Sequence, residues 1–471
     1  MPQVLSPFRR RVFHRQKAHL ILSAMWHRAE DLGSRVEKRC GETYHEVLSG
    51  VDASAINPTS WGLRDLLEDL GQNARIEILP SRGFVTSEDQ FNIWANDQPK
   101  RLLMENFYRH QRQASGILME SDAQGKLQPA GGKYNFDHEN RLPPPKGQSK
   151  LGVPDPWIPA EDNIDEEVRK YLDFLADKEG IQFRGSDGPR LFPASRGEAI
   201  EALNHFVSHR LATFGPFEDA AMESDWAMSH SLLSPAMNVG LLDPVEVIDA
   251  AVGAYHRGEI ELPSAEGFVR QIMGWRDWVW HLYWNQGRNA TSSNFFSHDA
   301  ELPEWWQNLD ATDVRSRCVS QVIGEVAARG WTHHINRLMV LGSFALQRGF
   351  NPAALNEWFV DVFVDGTPWV MPANVVGMSQ YADGGKVATK PYTSGGAYLN
   401  SMTNYCQSCS FKPSVRLGDK SCPMTAGYWN FLNSQRENLK GNHRMSRPLA
   451  GLSRLADLDK VLEQESLRTE F

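Results

Sequence analysis

The protein has 471 residues, of which 41% are hydrophobic and 23% are charged, and its formal net charge is −9 at pH 7. This composition is typical of globular proteins and excludes a disordered chain, a collagen and a coiled coil. No apolar run reaches the roughly 20 residues that a bilayer span needs, and the first residues lack the apolar core of a secretory signal, so we expect a cytoplasmic protein without a membrane partner.

The N-terminal quarter of the chain alternates helix and strand patterns. Lys17 to Gly33 predicts an amphipathic helix that ends at the glycine, and Ala74 to Pro80 predicts a short strand. RLLMENFYRHQRQASGILM predicts another helix. We therefore expect an α/β domain over residues 1–118. Because no convincing strand precedes Lys17, we expect this domain to be incomplete and to lack its first strand.

The rest of the chain divides into a connector and a helical region. Residues 119–163 are rich in glycine, proline and polar residues, which predicts a connector. From residue 164 to 471 the patterns are helical, as in GEAIEALNHFVSHRLATF, AEGFVRQIMGWRDWVWHLYW and HINRLMVLGSFALQRG. The sequence therefore predicts a large all-α domain after the α/β domain.

Four of the five cysteines follow residue 317. Cys406 and Cys409 form a C-x-x-C turn, Cys422 follows, and Cys318 lies on an upstream predicted helix. Such a turn directs two thiolates at one ion, and further ligands can come from elsewhere in the fold. A metal cluster, a zinc site and structural or redox thiols all remain open on this pattern. Cys40 stands apart, and we expect it to be a packing residue.

Two further motifs place polar groups at helix starts. His334 and Arg337 lie three residues apart, so an imidazole and a cation share one face; a core histidine beside a salt bridge to Asp365 is the alternative. Ser231 and Ser234 open a predicted helix in HSLLSP. Their hydroxyls could bind an anion such as a phosphate, and an ordinary helix cap is the alternative.

The motifs HSLLSP, FVRQIMGWRDW, GWTHHINRLM and WFVDVFVDG together identify a resemblance. With the four cysteines and GMSQYADGGKVATKPYTSGGAYLN, the sequence resembles the iron-sulfur bacterial cryptochromes and photolyases, the prokaryotic (6-4) photolyase group, over about residues 17 to 455. The resemblance implies an α/β antenna-type domain, an all-helical domain that binds FAD, and a [4Fe-4S] cluster on Cys318, Cys406, Cys409 and Cys422. We expect a monomer.

The resemblance assigns the flavin to residues in these motifs. The residues are Ser231, Ser234, Trp275, Arg276, Arg337, Asp365 and Met371. Arg337 and Asp365 would form an ion pair beside the isoalloxazine, where a cation helps to hold the anionic reduced flavin. Met371 stands where photolyases often have Asn, and Thr367 replaces a second acidic residue; a methionine cannot donate a hydrogen bond to the flavin. Trp358 and Trp369 are expected on the photoreduction path.

The resemblance also implies the catalytic and antenna residues. His334 occupies the position of a histidine in (6-4) enzymes, which implies that it donates a proton to the lesion, and His333 would support it. Tyr392 and Tyr398 match lesion-site tyrosines. Ile21 is expected to line a site for the antenna 6,7-dimethyl-8-ribityllumazine, of which another wall is missing.

A basic C-terminal segment is the expected DNA contact. Arg436, Lys440 and Arg444 lie at helical spacing and Arg447 follows, although a solvated helix face is the alternative. We expect a light-driven DNA repair lyase of the (6-4) photolyase type, in which a lesion flipped out of UV-damaged DNA enters the flavin pocket. The alternatives are a blue-light photoreceptor of the same family with little repair and a metal-stabilised nucleic-acid-binding module without photochemistry.

Overall fold

The N-terminal segment forms two short parallel strand pairs; two α-helices connect the strands of the first pair, and one helix connects those of the second. A computed structural model describes residues 1–98 and 101–471. Strand Pro2–Val4 pairs with Arg39–Gly41, and strand Ala53–Ile56 pairs with Ile76–Leu79. Parallel strands need such crossover connections. The predicted α/β character is therefore confirmed, and the strand expected at Ala74 to Pro80 is Ile76–Leu79.

A strand precedes Lys17, which the sequence analysis did not expect. Pro2–Val4 has three residues, too few for an alternating pattern to be visible. Its conformation depends on pairing with Arg39–Gly41, a contact that the local sequence does not encode. The expectation that no strand lies before Lys17 is wrong for this reason.

The first long helix matches the prediction closely. It spans Arg15–Leu32, and Gly33 ends it with a φ of 56°. The side chain of His14 caps its start by accepting the N–H of Gln16. Buried residues of this helix, including Leu22, pack against the helix Asn163–Glu179.

Helices make up most of the remaining structure. In the first 118 residues they are Ser6–Arg10, Arg15–Leu32, Tyr44–Leu48, Trp61–Leu70, Glu88–Asn96 and Met104–Ser115. Residues 119–163 contain the hairpin Met119–Ser121 and Leu127–Pro129. The later α-helices are Asn163–Glu179, Arg196–His209, Leu211–Phe217, Ser234–Asn238, Pro244–His256, Leu262–Val269, Asp277–Gln286, Glu304–Gln307, Arg317–Arg329, Ser343–Arg348, Pro352–Val362, Gly396–Met402, Pro423–Ser434, Arg436–Leu439, Ser446–Leu452 and Leu458–Ser466. The domain boundaries at residues 118 and 163 stay predictions.

Three π-helical stretches occur among the described residues, at Arg270–Arg276, Asn336–Gly342 and Pro372–Ser379. The first carries Trp275 and Arg276, and the second carries Arg337. Such stretches are rare and often occur at functional sites, because the extra residue in the turn reorients side chains. None of the helices in the described part of the chain is long and apolar enough to cross a membrane.

Candidate active site

Arg337 and Asp365 form a largely buried ion pair. Their side chains are 16% and 9% exposed. Nη1 of Arg337 donates to Oδ1 of Asp365 at 2.8 Å, and Nη2 donates to Oδ2 at 3.2 Å. The guanidinium also lies 4.0 Å from the centre of the Phe363 ring. The salt bridge considered from the sequence is present, and it fixes a cation in a partly apolar pocket.

Two residues of the helix Ser234–Asn238 hold the same aspartate. Oγ of Ser234 donates to Oδ2 of Asp365 at 2.7 Å, and Nδ2 of Asn238 donates to the Asp365 carbonyl at 3.0 Å. The only proton of the Ser234 hydroxyl is used here, so this serine positions Asp365 in the structure. Its expected contact with the FAD phosphates stays a prediction. The sequence analysis missed Asn238, although its spacing of four residues from Ser234 puts both on one helix face.

Ser231 lies apart from this network. Its Oγ accepts the N–H of Leu233 at 3.4 Å. The residue lines a separate small pocket with Trp157 and Arg210. The structure therefore does not bring the two predicted serines to one group.

Arg276 extends the network from the neighbouring helix. Its Nη2 donates to Oδ1 of Asn238 at 3.4 Å, and its guanidinium lies 4.6 Å from the Phe84 ring and 5.2 Å from the Trp369 ring. Burial lowers the pKa of Arg276 to about 10. Beside it, Nε1 of Trp275 donates to Oδ1 of Asn374 at 2.9 Å. The predicted residues Arg276, Arg337 and Asp365 thus belong to one connected region.

Several buried polar atoms of this region have no hydrogen-bond partner among the described residues. They are Nε of Arg276, Nε2 of His230, Nδ1 of His333 and Oγ1 of Thr367. Buried donors and acceptors in folded proteins are nearly always paired, because an unpaired group is costly. Unpartnered buried atoms occur elsewhere in the described chain too, but these four lie near the Arg337–Asp365 ion pair, where they can accept from or donate to a polar cofactor.

His230, His333 and His334 form a cluster of imidazoles. The rings of His230 and His333 stack at 4.7 Å, and the His334 ring lies 5.3 Å from that of His230. Burial, followed by the positive charges of neighbouring groups, lowers the pKa of His230 and of His333 well below the usual range. Both imidazoles are therefore neutral at pH 7. The sequence analysis missed His230, which immediately precedes Ser231.

His334 is exposed and has a carboxylate beside it. Its Nε2 lies 3.6 Å from Oδ1 of Asp219, and half of its side chain is accessible. Burial raises the pKa of Tyr392 and of Tyr398, and the charge of Asp219 raises both further. Tyr392 and Tyr398 pack against different apolar clusters. The group that lies directly beside His334 is Asp219. The sequence analysis missed it within the acidic segment FEDAAMESD.

Trp358 and Trp369 lie in different parts of the core. Trp358 and Met371 are buried in the largest apolar cluster, and Trp306 lies 5.3 Å from Trp358. Trp369 packs instead against Trp280 at 5.6 Å. The structure does not join the two predicted tryptophans in one aromatic cluster.

The four late cysteines line one cavity. Cys318, Cys406, Cys409 and Cys422 line one pocket together with Leu399, Tyr405 and Phe411, and none forms a disulfide. Burial raises the pKa of the Cys318 and Cys422 thiols and that of Cys406 to about 12. Among the described residues no three of these sulfurs lie within 4.8 Å of one another. The four cysteines predicted from the sequence are thus brought to one place by the fold.

Cys40 is exposed, and the expectation that it is a packing residue is wrong. It lies in the strand Arg39–Gly41, which pairs with the three-residue strand Pro2–Val4. Ile21 is half-buried on the helix Arg15–Leu32.

The basic C-terminal segment is exposed but does not form one helix. The helix Arg436–Leu439 ends before Lys440, and the side chain of Asn442 caps a separate turn by accepting the N–H of Arg444. The expected helical spacing of the three cations is therefore wrong, because Gly441 and Asn442 interrupt the helix. Arg444 lies close enough to Tyr392 to oppose the rise in its pKa. Arg436, Lys440, Arg444 and Arg447 are all exposed.

Comparisons with known proteins give the family. The family model described as deoxyribodipyrimidine photo-lyase-related protein matches residues 1–179. The (6-4) photolyase of Agrobacterium fabrum is 37% identical over 468 residues, which cover 94% of this chain and 88% of that protein. A bacterial class III photolyase from Agrobacterium tumefaciens shares the fold, with a TM-score of 0.54, 14% identity, and coverage of 97% of this chain and 88% of that one. The cryptochrome of Synechocystis sp. PCC6803 does so with a TM-score of 0.51, 11% identity, and coverage of 96% and 88%. The chain therefore belongs to the (6-4) photolyase family.

Proposed function

We propose that this protein is a light-driven DNA repair lyase that acts on (6-4) photoproducts and uses FAD. The observation that carries the proposal is the exposed His334, which lies beside Asp219 and 5.3 Å from the buried His230, in a region with unpartnered polar atoms. The relative that is 37% identical is a (6-4) photolyase. This combination favours repair over a photoreceptor with little repair.

One set of residues would bind the cofactor, and another would contact the lesion. When bound, the reduced flavin supplies an electron after it absorbs blue light. Arg337, held by Asp365, provides a fixed positive charge at that site. Arg276 offers an unpartnered N–H to a polar group of the cofactor. The surrounding aromatic and aliphatic side chains exclude water, which strengthens these electrostatic interactions.

His334 is the proposed proton donor. Its side chain is half exposed, so it can reach a base that has been flipped out of the duplex. Oδ1 of Asp219 lies 3.6 Å from Nε2 of His334, so the carboxylate would pair with the protonated imidazole. Tyr392 and Tyr398 would replace the stacking that the flipped base loses. His333 is buried and neutral, which supports a positioning role rather than proton donation.

Photorepair of an oligonucleotide that contains a (6-4) photoproduct tests this role. We expect His334→Asn to lower the repair rate by about a hundredfold or more, since general acid catalysis contributes that much. Bound FAD, measured by its absorbance at about 450 nm, should be unchanged. His45→Asn is the matched control, because His45 is a similarly exposed histidine whose Nε2 lies 2.6 Å from Asp69. Equal repair by the two variants would refute the proposed donor.

We further propose that the four cysteines hold a [4Fe-4S] cluster. The meeting of four thiols that form no disulfide supports a metal centre, and the resemblance to the iron-sulfur group of the family favours a cluster over one zinc ion. Iron and acid-labile sulfide analysis of the purified protein tests this directly. A colourless protein with one zinc per chain would contradict it.

The antenna and the DNA surface remain proposals with separate tests. Extraction of bound chromophores decides whether a lumazine accompanies FAD, and loss of the lumazine in Ile21→Trp, with FAD retained, would place it at the half-buried Ile21. The exposed Arg444 and Arg447 would contact phosphates at the rim near Tyr392. UV-damaged DNA is therefore the proposed partner.

A further inference from the structure

Lys17 is a buried cation outside the residues considered so far. Its side chain is on the first turn of the helix Arg15–Leu32, and the residue is only 5% exposed. Its Nζ donates to the carbonyl of Val360 and, at 2.6 Å, to the carbonyl of Gly366. A buried lysine is costly unless its ammonium is well paired, so its contacts call for an explanation.

The two carbonyls lie on either side of the turn that carries Asp365. Val360 is in the last turn of the helix Pro352–Val362, where backbone carbonyls lack partners within the helix. A positive charge is favourable at this end of a helix. The backbone N–H of His14 donates to the next carbonyl, that of Asp361, at 3.0 Å. Residues that precede and begin the first long helix therefore cap the end of a distant helix.

The turn itself has little freedom. A Cβ atom on Gly366 would lie 2.6 Å from the Phe359 carbonyl and 2.9 Å from the Phe363 carbonyl, so only glycine fits. The N–H of Gly366 donates to the Phe363 carbonyl at 2.9 Å. Lys17 holds the carbonyl of the same residue. The position of Asp365 therefore depends on the hydrogen bonds that Lys17 and Phe363 make with the next residue, Gly366.

We propose that Lys17 is a positioning residue of the flavin site, which clamps the turn between Val360 and Gly366 and so presents Asp365 to Arg337. The inference rests on the proposed function and deepens it. It also means that one helix carries both Ile21 and the group that fixes the flavin-site turn, so the N-terminal helix is part of the flavin site.

The charges around Lys17 are consistent with a permanent clamp. Burial lowers its pKa to about 8, Asp361 and Asp365 oppose this, and Arg11 adds to it. Arg184 also lies 3.7 Å from Asp361. An amine that has lost one proton still has two N–H groups, enough for both carbonyls.

The test compares full-length Lys17→Met with a matched control. Methionine has a similar length and volume but no donor. Arg190→Met is the control, because Arg190 is also a buried cation, with bonds to Asp165 and Glu198, but does not contact the Asp365 turn. The first readout is amide hydrogen exchange of Gly366 in protein without flavin. The second is the dissociation constant of FAD, and the third is the flavin midpoint potential.

We expect Lys17→Met to speed exchange at Gly366 and to weaken FAD binding, each by about tenfold or more, because two charge-assisted hydrogen bonds are lost. The midpoint potential should shift as well. Arg190→Met should lower the melting temperature and leave all three readouts unchanged. Lys17→Gln has a shorter side chain that cannot reach both carbonyls, so it should show the same effects. If Lys17→Met does not fold, Lys17→Gln tests whether Lys17 fixes the turn.

The outcomes separate this inference from the proposed function. Unchanged exchange at Gly366 in folded Lys17 variants would overturn the clamp. Faster exchange with unchanged FAD affinity and potential would overturn the positioning role. If no variant and no wild-type protein binds FAD, the proposed function fails, whereas faster exchange in Lys17→Met would still support the clamp.

Discussion

Replacing Asp365 by asparagine tests the central ion pair with almost no change in shape. The carboxylate accepts three side-chain hydrogen bonds, two from Arg337 at 2.8 and 3.2 Å and one from Ser234 at 2.7 Å. An amide has one oxygen, and its NH₂ group would face a donor. The variant therefore leaves Arg337 without a counter-charge in a largely buried position.

The size of the effect follows from these contacts. Hydrogen bonds to charged groups contribute about 1.5–3 kcal/mol each, and removal of one partner of a buried pair costs about 3–5 kcal/mol. The side chains of Arg337 and Asp365 are 16% and 9% exposed, so solvent partly screens the unpaired charge, and we take the lower end of this range. We expect the free energy of unfolding to fall by about 3 kcal/mol, which is more than about a hundredfold in the folding equilibrium constant.

Urea unfolding followed by circular dichroism measures this loss, and flavin absorbance measures cofactor retention. Glu259→Gln is the control, because Glu259 accepts two bonds from Arg257 at 2.7 and 2.8 Å but lies on the surface. Exposed pairs of this kind contribute little, so the control should unfold like the wild type. Equal losses in both variants, or full stability and flavin content in Asp365→Asn, would refute the reasoning.

Three further outcomes are expected. Burial raises the pKa of Glu325 from 4.5 to about 7, so the folded protein binds this proton more tightly than the unfolded chain does. The free energy of unfolding should therefore fall by up to about 3 kcal/mol as the pH rises from 4.5 to 7. Glu325→Gln should flatten denaturation midpoints measured from pH 5 to pH 8, and an unchanged slope would contradict this. Cys409→Ser should yield protein that is poorly soluble, or that contains little iron and flavin. The reason is that a cluster joining Cys318 to the C-terminal segment closes a long loop, which this variant would open. Soluble variant protein with full flavin and iron would contradict this prediction. Replacing both Arg444 and Arg447 by Gln should reduce the slope of log K against log salt concentration for DNA binding by up to about 2. Binding titrations at several salt concentrations measure this slope. A slope equal to that of the wild type would exclude the two arginines as phosphate contacts.

The sequence by itself determined the features that are encoded locally. The helix Arg15–Leu32 was predictable because its apolar spacing and the final Gly33 lie within one short segment. The same holds for the strand Ile76–Leu79. The order of the motifs also identified the family before any contact was known, because each motif is a specific pattern of residues within a short segment.

Only the tertiary structure decided which side chains meet. Asp219 beside His334 and Asn238 beside Asp365 are contacts between residues about a hundred or more positions apart. Lys17 reaches Gly366 across a separation of 349 residues. Periodicity reports which face of a segment is buried, but it does not report what packs against that face. The partners of each polar group, and hence the cofactor region, depend on packing between elements, because a buried donor or acceptor is satisfied by whichever group the fold brings to it.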